Sequence, residues 1–185
     1  MKIIAIIPAR GGSTRLKNKN VFNLLGKPLI RWTIDEAKKS KYIEDIYVTT
    51  DNNTIKTISN DCKIIDRPDD ISGDTIWMQE PITHAVEQLD LDDNDLVVIL
   101  QANSPEMDFK IIDKCIQYTI ENNLWQMSTV DINHTNNSHI CVIRKKVCYH
   151  TGKANYNGFI YVDWIDVHTM DDINNVKQRL IKKII

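Results

Sequence analysis

Glycine, proline and cysteine are scarce in this sequence, and no long apolar run occurs. The 185 residues include only 6 glycines, 5 prolines and 4 cysteines, and no two cysteines form a Cys-x-x-Cys pair. This usage argues against a disulfide scaffold and favours reduced thiols. No apolar run approaches the roughly 20 residues that a membrane span needs. The first residues form a predicted strand and do not show the charged region, apolar stretch and cleavage site that make up a signal peptide. We therefore expect a cytoplasmic location and no membrane partner.

An excess of charge of either sign is also missing. Lysine and arginine number 23 against 25 aspartates and glutamates, which gives a formal net charge of -2. Because bulk binding of polyanions needs a basic surface, we expect no nucleic-acid partner and only a local anion site. The length favours a single domain over residues 1–185, and the hydrophobic fraction of 42% is ordinary for a globular protein.

Short apolar runs alternate with amphipathic segments along the chain, which predicts alternating strands and helices. The predicted strands are 3–7, 46–50, 62–65, 96–100, 126–132 and 159–162, and the predicted helices are 28–39, 54–60, 76–89, 108–122 and one that begins near 171. This alternation favours an α/β domain with a Rossmann-like, mostly parallel central sheet. Residues 133–157 are rich in Asn, His, Lys and Tyr, and we interpret them as an excursion from the sheet.

A basic loop that contains two glycines follows the first strand. Gly11 and Gly12 allow the backbone to approach a ligand closely, and successive backbone N–H groups can form an anion-binding nest. Cations that can donate charge-assisted hydrogen bonds to phosphate oxygens are Arg10, Arg15, Lys17 and Lys19. The loop over residues 8–20 therefore predicts a phosphate site, with a solvated basic loop as the alternative. It is no P-loop, since Ser13 and Thr14 follow Gly12, and it lacks the third glycine of a dinucleotide fingerprint.

Polar segments follow three of the predicted parallel strands. They are residues 8–20, 51–53 and 101–105. The carboxyl ends of parallel strands meet at one edge of an α/β sheet, and ligands bind outside that edge. The sequence therefore predicts a nucleotide site where these segments meet.

Short motifs in a fixed order resemble a known enzyme family. They are Ile7-Pro8-Ala9-Arg10-Gly11-Gly12-Ser13, Ser13-Thr14-Arg15-Leu16 with Lys19, Gly26-Lys27-Pro28-Leu29, Thr50-Asp51, Arg67-Pro68, Ser72-Gly73-Asp74-Thr75, Leu100-Gln101-Ala102-Asn103-Ser104-Pro105, Asn157-Gly158-Phe159-Ile160-Tyr161 and Ile165-Asp166-Val167-His168-Thr169. Together they resemble the cytidylyltransferases that make CMP-activated acidic sugars, namely the acylneuraminate and 3-deoxy-manno-octulosonate cytidylyltransferases. Compared with that family, the region around residues 130–157 is short.

The resemblance implies a three-layer nucleotidyltransferase fold and a reaction in which a sugar hydroxyl attacks the α-phosphate of CTP and pyrophosphate leaves. It implies CTP and an acidic sugar such as a nonulosonate as substrates, Mg²⁺ or Mn²⁺ as cofactor, a homodimer, and a role in polysaccharide biosynthesis. It assigns the triphosphate to Arg10, Arg15 and Lys19, and the metal to Asp166 and His168. The other nucleotide-contacting positions are Ala9, Gly11, Gly12, Ser13, Arg67, Asp74, Gln101, Asn103 and Ser104, of which Arg67 and Gln101 would contact the cytosine and ribose or the sugar.

Three positions depart from the family pattern. Thr14 replaces a lysine of the acylneuraminate branch, Asn103 replaces an aspartate of the octulosonate branch, and His168 replaces the second aspartate of an Ile-Asp-x-Asp stretch. His168 is a poor substitute, because Mg²⁺ prefers oxygen ligands. Two alternatives therefore stay open: a nucleotidyltransferase with another base or acceptor, and a non-catalytic protein that binds a nucleotide or a sugar nucleotide.

A second metal hypothesis concerns residues 139–150. If a two-residue turn lies at residues 144 and 145, His139 would face His150 and Cys141 would face Cys148, which is a ligand set suited to zinc. A three-residue turn would shift the pairing by one residue and separate these side chains, and the alternative interpretation is a half-buried hairpin without a metal.

Overall fold

The computed structural model describes residues 1–132, 138–149 and 156–184. The strands are β1 (Ile3–Pro8), β2 (Asn23–Leu24), β3 (Lys27–Pro28), β4 (Asp45–Thr50), β5 (Lys63–Asp66), β6 (Leu96–Leu100), β7 (Gln126–Val130), β8 (Ile140–Arg144) and β9 (Asn157–Tyr161). The helices are α1 (Leu29–Ala37), α2 (Asn53–Ile58), α3 (Gln79–Glu87), α4 (Phe109–Glu121) and α5 (Met170–Ile184). Among the described residues, no helix has the length and apolar character to cross a membrane.

A seven-stranded sheet forms the centre of the fold, in the order β5-β4-β1-β6-β8-β7-β9. The pairs β5–β4, β4–β1, β1–β6 and β7–β9 are parallel, whereas β8 is antiparallel to both of its neighbours. The separate β2–β3 ribbon leads the chain from the basic loop into α1. The prediction of an α/β fold with a mostly parallel sheet is thus confirmed.

Strand β8 corrects the expectation that residues 133–157 leave the sheet. Its Val142 lies opposite Val98 of β6 on one side and Met127 of β7 on the other. The apolar run is short and stands among His, Arg and Lys, so the composition of the region concealed a central strand. Residues 133–137 and 150–155 lie outside the described residues.

The structure also contradicts the predicted hairpin that would have paired His139 with His150 and Cys141 with Cys148. Strand β8 leads directly into a 3-10 turn at Lys145–Val147, and Cys141 and Cys148 pack in one apolar cluster. Burial raises the pKa of Cys141 to about 11 and that of Cys148 to about 12, which disfavours their thiolate forms. His150 lies outside the described residues, and within those residues no group of three or more His, Cys, Asp or Glu side chains could hold a metal ion.

Apolar side chains pack on both faces of the sheet. Helices α1 and α4 cover one face, where Ile34 and Ile112 join a cluster with Ile7 of β1. Helix α3 covers the other face, where Ile82 packs in a cluster with Ile6. Every residue of β1 and β6 is buried, which explains why these strands are continuous apolar runs in the sequence.

A third apolar cluster determines where the basic loop lies. Leu16 of that loop packs in a cluster with Val167, which precedes α5, and with Val176 and Leu180 of α5 itself. Burial of these side chains brings the loop after β1 next to the segment before α5, although they are far apart in the sequence.

Candidate functional site

A polar cleft of about 320 Å³ lies at the carboxyl edge of the parallel strands. Its wall is formed by Pro8, Arg10, Ser13, Thr14, Arg15, Lys19, Asn20, Arg67, Gly73, Asp74, Ile76, Met78, Gln101, Asn103, Asp166 and His168. Two of the polar segments predicted to meet, residues 8–20 and 101–105, do meet in this wall. The third, residues 51–53, supports the basic loop from behind.

Positively charged side chains lie together in the cleft. Arg10, Arg15 and Lys19 come from the basic loop, and the side chains of Arg15 and Lys19 make no hydrogen bond or ion pair with any described residue. Burial lowers the pKa of Lys19; Asp166 opposes this shift, while Arg15 and Arg10 add to it. Clustered cations with unused donors form a site that favours a polyanion.

Arg10 is held at this site by the chain after β5. Its Nη2 atom pairs with the carboxylate of Asp74, and its Nη1 atom donates to the carbonyl oxygen of Ser72 at 3.5 Å. The side chains of Arg10 and Asp74 are 27% and 42% exposed, so water screens the pair and its contribution to stability is small. A phosphate group can therefore replace the Asp74 carboxylate at little cost.

Arg67 lies deeper in the wall and is only 8% exposed. Its Nε atom donates to the carbonyl oxygen of Ile71 at 2.8 Å, and its Nη2 atom contacts the same oxygen. Burial lowers the pKa of Arg67; Asp51 opposes this shift and Arg10 adds to it, but an arginine stays protonated. Arg67 thus presents a fixed, planar cation to the cleft, which suits a base edge, a ribose or a carboxylate.

Asp51 and Asn20 anchor the backbone of the basic loop. The N–H of Gly11 donates to Asp51 Oδ1 at 2.8 Å, and Asn20 Nδ2 donates to the carbonyl oxygen of Arg10 at 3.0 Å. Asn20 is buried and also lines the cleft, and sequence reasoning missed it. The signal that could have identified it was an amide side chain directly after Lys19 in a loop that must keep a fixed shape.

Four of the expected nucleotide-contacting positions lie outside the wall of the cleft. Ala9 is buried at the end of β1, Gly11 belongs to the back of the loop, and Gly12 is exposed. Ser104 is buried and shares a hydrogen bond of 2.6 Å with Nδ1 of His139. Burial lowers the pKa of His139, which favours a neutral ring in this contact. Ala9, Gly11 and Ser104 thus lie behind the wall, whereas Gly12 lies at the surface.

Gly11→Ala is expected to weaken nucleotide binding by about tenfold or more, because small displacements of binding groups are costly. A Cβ at this position would lie 2.5 Å from Asn52 Nδ2 and 2.8 Å from Asn52 Cβ. Asn52 cannot move freely, since its Oδ1 accepts from the N–H of Ile55 at 3.1 Å at the start of α2. Calorimetric titration with CTP measures the loss.

The Gly11 prediction has two controls. A Cβ at Gly12 would meet nothing within 4 Å, so Gly12→Ala should have a far smaller effect. Asn52 is the N-cap of α2. Adding Asn52→Gly to Gly11→Ala removes the clash with the new Cβ and destabilises the start of α2 by only a few tenths of a kcal/mol. The double variant should therefore recover the affinity for CTP. If it does not, the Gly11–Asn52 contact is not the reason for the glycine.

On the side of the cleft next to α5, Asp166 accepts hydrogen bonds at both carboxylate oxygens. Asn103 Nδ2 donates to Oδ1 and also to the carbonyl oxygen of Val167 at 3.0 Å. His168 Nε2 lies 2.7 Å from Oδ2 and must carry the proton, because a carboxylate only accepts. His168 Nδ1 is buried and has no partner within the described part of the chain. In this arrangement His168 orients the Asp166 carboxylate.

The residues around Asp166 fit a Mg²⁺ ion that is shared with bound phosphates. Mg²⁺ often uses one or two carboxylates together with substrate phosphates instead of a closed protein cage. The wall offers the carboxylate of Asp166 and the amide oxygens of Asn103 and Gln101. Phosphate oxygens and water would complete such a site.

The two sides of the cleft have complementary chemistry. The loop side can neutralise a chain of phosphates, and the Asp166 side holds an oriented carboxylate close enough to influence Lys19. Transfer reactions at phosphorus depend mainly on neutralising charge and aligning the attacking and leaving oxygens. The cleft is therefore suited to phosphoryl or nucleotidyl transfer.

Comparison with known sequences identifies relatives with a common chemistry. A family model described as Cytidylyltransferase matches residues 4–156. The chain is 33% identical to the 3-deoxy-manno-octulosonate cytidylyltransferase of Bdellovibrio bacteriovorus over an aligned region of 132 residues. That region covers 70% of this chain and 51% of the relative. It is 38% identical to the N-acylneuraminate cytidylyltransferase of Escherichia coli over an aligned region of 109 residues, and that region covers 58% of this chain and 26% of the relative. The chain thus spans about half the length of the first relative and about a quarter of the second.

Solved structures support the same fold. A CMP:2-keto-3-deoxy-manno-octonic acid synthetase complexed with CTP matches with a TM-score of 0.80 at 14% identity, over 99% of this chain and 100% of that chain. A cytidylyltransferase from Leptospira borgpetersenii matches with a TM-score of 0.74 at 17% identity, over 96% of this chain and 85% of that chain. At such identities the likeness concerns the fold alone.

Proposed function

Because the chain belongs to the cytidylyltransferase family, we propose that it transfers CMP from CTP to the hydroxyl of an acidic sugar and releases pyrophosphate. The observation that carries the proposal is the cleft in which Arg10, Arg15 and Lys19 lie together with the oriented carboxylate of Asp166. The relatives named for octulosonate and acylneuraminate support a sugar acid as the acceptor.

The cations of the basic loop would hold the triphosphate during the reaction. The acceptor oxygen attacks the α-phosphorus, the bond to the leaving pyrophosphate breaks, and the hydroxyl proton passes to solvent or base. Arg10, Arg15 and Lys19 would neutralise the charge that accumulates on the leaving pyrophosphate. Ser13 lines the same part of the cleft and can donate a hydrogen bond.

Arg67 and Gln101 would contact the remaining parts of the substrates. Arg67 is fixed by Ile71, and the backbone of Gln101 is fixed because its carbonyl oxygen accepts from Thr33 Oγ1 at 2.8 Å. The side-chain amide of Gln101 has no partner among the described residues, so it is available to a ligand. An amide and a guanidinium together suit the cytosine and ribose of CTP or the carboxylate of the sugar.

Mg²⁺ is part of the proposal. When bound, it would add positive charge at the phosphates and fix their orientation. Asp166 would hold it, with Asn103 beside it and His168 keeping the Asp166 carboxylate in place. Mn²⁺ is the natural substitute to test.

The experiment measures pyrophosphate release from CTP in the presence of Mg²⁺ or Mn²⁺ with a panel of acidic sugars, next to a thermal-shift panel of nucleoside triphosphates. We expect release with a 2-keto sugar acid and stabilisation by CTP. Stabilisation by another nucleotide would indicate a different base, and stabilisation by CTP without release would favour a binding protein. No stabilisation by any nucleotide would contradict the proposed site.

The affinity for CTP is expected to fall as the pH rises through the pKa of Lys19. Burial holds this pKa below its ordinary value, so Lys19 is protonated below that pKa and neutral above it. A triphosphate binds the protonated form better, and the loss of one charged contact weakens binding by about tenfold. Titrations with CTP from about pH 7.5 upward measure this fall in affinity. In that range the phosphate groups of CTP are already ionised, because their last pKa is about 6.

Lys19→Arg is the matched control for the pH dependence. Arginine keeps its charge throughout this range, so the variant should show a flatter profile than the wild-type chain. Parallel profiles for the two proteins would exclude Lys19 as the titrating group.

A further inference from the structure

The segment between β9 and α5 carries Asp166 but has no regular secondary structure. Tertiary contacts must therefore fix the place of its carboxylate. Asn103 provides one anchor, because the N–H of Val167 donates to its carbonyl oxygen at 3.0 Å and its side chain donates back to Asp166 and Val167. The residues before Asp166 are held by a different pair of side chains.

Glu106 binds the backbone directly before Asp166. Its side chain is 0% exposed, and its Oε2 atom accepts from the N–H of Ile165 at 2.9 Å. Its Oε1 atom forms an ion pair with Nε of Arg179 at 2.8 Å and lies 3.9 Å from Nζ of Lys183, both in α5. One buried carboxylate thus connects the loop after β6, the Asp166 segment and helix α5.

Arg179 extends the contact to the start of the segment. Its Nη2 atom contacts the carbonyl oxygen of Asp163 and lies 3.2 Å from Asp163 Oδ2. The Glu106–Arg179 pair therefore fixes Asp163 and Ile165, while Asn103 fixes the chain after them. Asp166 lies between these anchors.

Stability alone does not explain a buried charge at Glu106. Removing a carboxylate from water costs free energy that an ion pair often fails to recover, and apolar residues of similar volume can stabilise a fold equally well. A geometric role explains the charge better, because functional groups must be held within about 0.5 Å of their productive positions.

We propose that Glu106 and Arg179 are positioning residues that hold the Asp166 carboxylate in the cleft and thereby set the affinity for the divalent metal. The inference rests on the proposed function, because the metal role of Asp166 belongs to it. Neither Glu106 nor Arg179 lines the cleft, so both act through the backbone of the Asp166 segment.

The test uses Glu106→Gln in the whole chain. Glutamine retains an acceptor for the N–H of Ile165 but loses the charge that holds Arg179. Amide hydrogen exchange at residues 163–167 reports whether the segment is fixed. Titration with Mn²⁺ in the presence of CTP reports the affinity of the metal site.

Glu36→Gln is the matched control. Glu36 also accepts from a backbone N–H, that of Phe109 at 3.1 Å, and pairs with a cation, Lys39 at 2.5 Å. It has no contact with the Asp166 segment. A general effect of losing such a carboxylate would therefore appear in both variants.

We expect Glu106→Gln to speed amide hydrogen exchange at Ile165 and to weaken Mn²⁺ binding by about tenfold. This is the scale seen when a group that orients a metal ligand is lost. In Glu36→Gln, the Mn²⁺ affinity should change by less than about twofold. Wild-type exchange and Mn²⁺ affinity in Glu106→Gln would overturn the inference. A wild-type chain that does not bind CTP would refute the proposed function, and the exchange measurement would still decide whether Glu106 fixes the segment. If Glu106→Gln does not fold, Arg179→Gln, altered on the more exposed side of the pair, gives the same comparison.

Discussion

Asp166→Asn is expected to reduce pyrophosphate release from CTP by about 10²–10³-fold, the loss that follows removal of one preorganised electrostatic group. Asparagine has nearly the same shape as aspartate, so the fold should persist while the charge that would hold Mg²⁺ is lost. Asp166 also opposes the lowering of the pKa of Lys19 by burial, so its replacement should lower that pKa further. Steady-state pyrophosphate release at saturating CTP measures the effect, and the melting temperature checks the fold.

Asp171→Asn is the control for Asp166→Asn. Asp171 is an exposed carboxylate in the first turn of α5 and lies outside the wall of the cleft. Its replacement removes the same charge close by in the sequence and should leave the rate within about threefold, as for an ordinary surface substitution. If Asp166→Asn retained a rate in that range, the metal would have to be held elsewhere.

The sheet and its functional edge could be predicted because both follow from local patterns. Strands buried on both faces, such as β1 and β6, are continuous apolar runs, and intervening amphipathic segments predict the helices. In a parallel sheet the residues after such strands must meet at one edge. In agreement with this rule, Arg10 and Gln101 line the same cleft.

The antiparallel strand β8 could not be predicted from the same patterns. Its place between β6 and β7 depends on partners that are distant in the sequence, and its own apolar run is only a few residues long. Sequence periodicity can suggest a strand there, but the position of that strand in the sheet follows from tertiary pairing. Our interpretation of the region as an excursion relied on composition and was therefore wrong for β8.

The contacts that orient the side chains in the cleft were also beyond sequence reasoning. Asn103 and Asp166 are 63 positions apart, and Glu106 and Ile165 are 59 positions apart. No periodic pattern links positions at such distances. The resemblance to a family predicted Asp166 and His168 as a metal pair, and the structure adds a hydrogen bond between them. Their metal role stays a prediction.

Arg10→Ala is expected to weaken CTP binding by at least about 1.5 kcal/mol, the lower value for hydrogen bonds to a charged group, which is a loss of about tenfold or more. Arg10 follows β1 by two residues, and its guanidinium forms an ion pair with the partly exposed Asp74. A phosphate would replace that carboxylate and offer more than one acceptor oxygen. Calorimetric titration with CTP measures the change.

Lys17→Ala distinguishes a specific phosphate contact from the general charge of the loop. Lys17 is exposed and lies outside the wall of the cleft, so its loss should cost less than the loss of Arg10. The small effect of Lys17→Ala should also disappear in about 1 M salt, where the Debye length is only about 3 Å, whereas the loss in Arg10→Ala should largely persist. Equal losses in both variants that vanish together in salt would mean that the loop attracts CTP only through its overall charge.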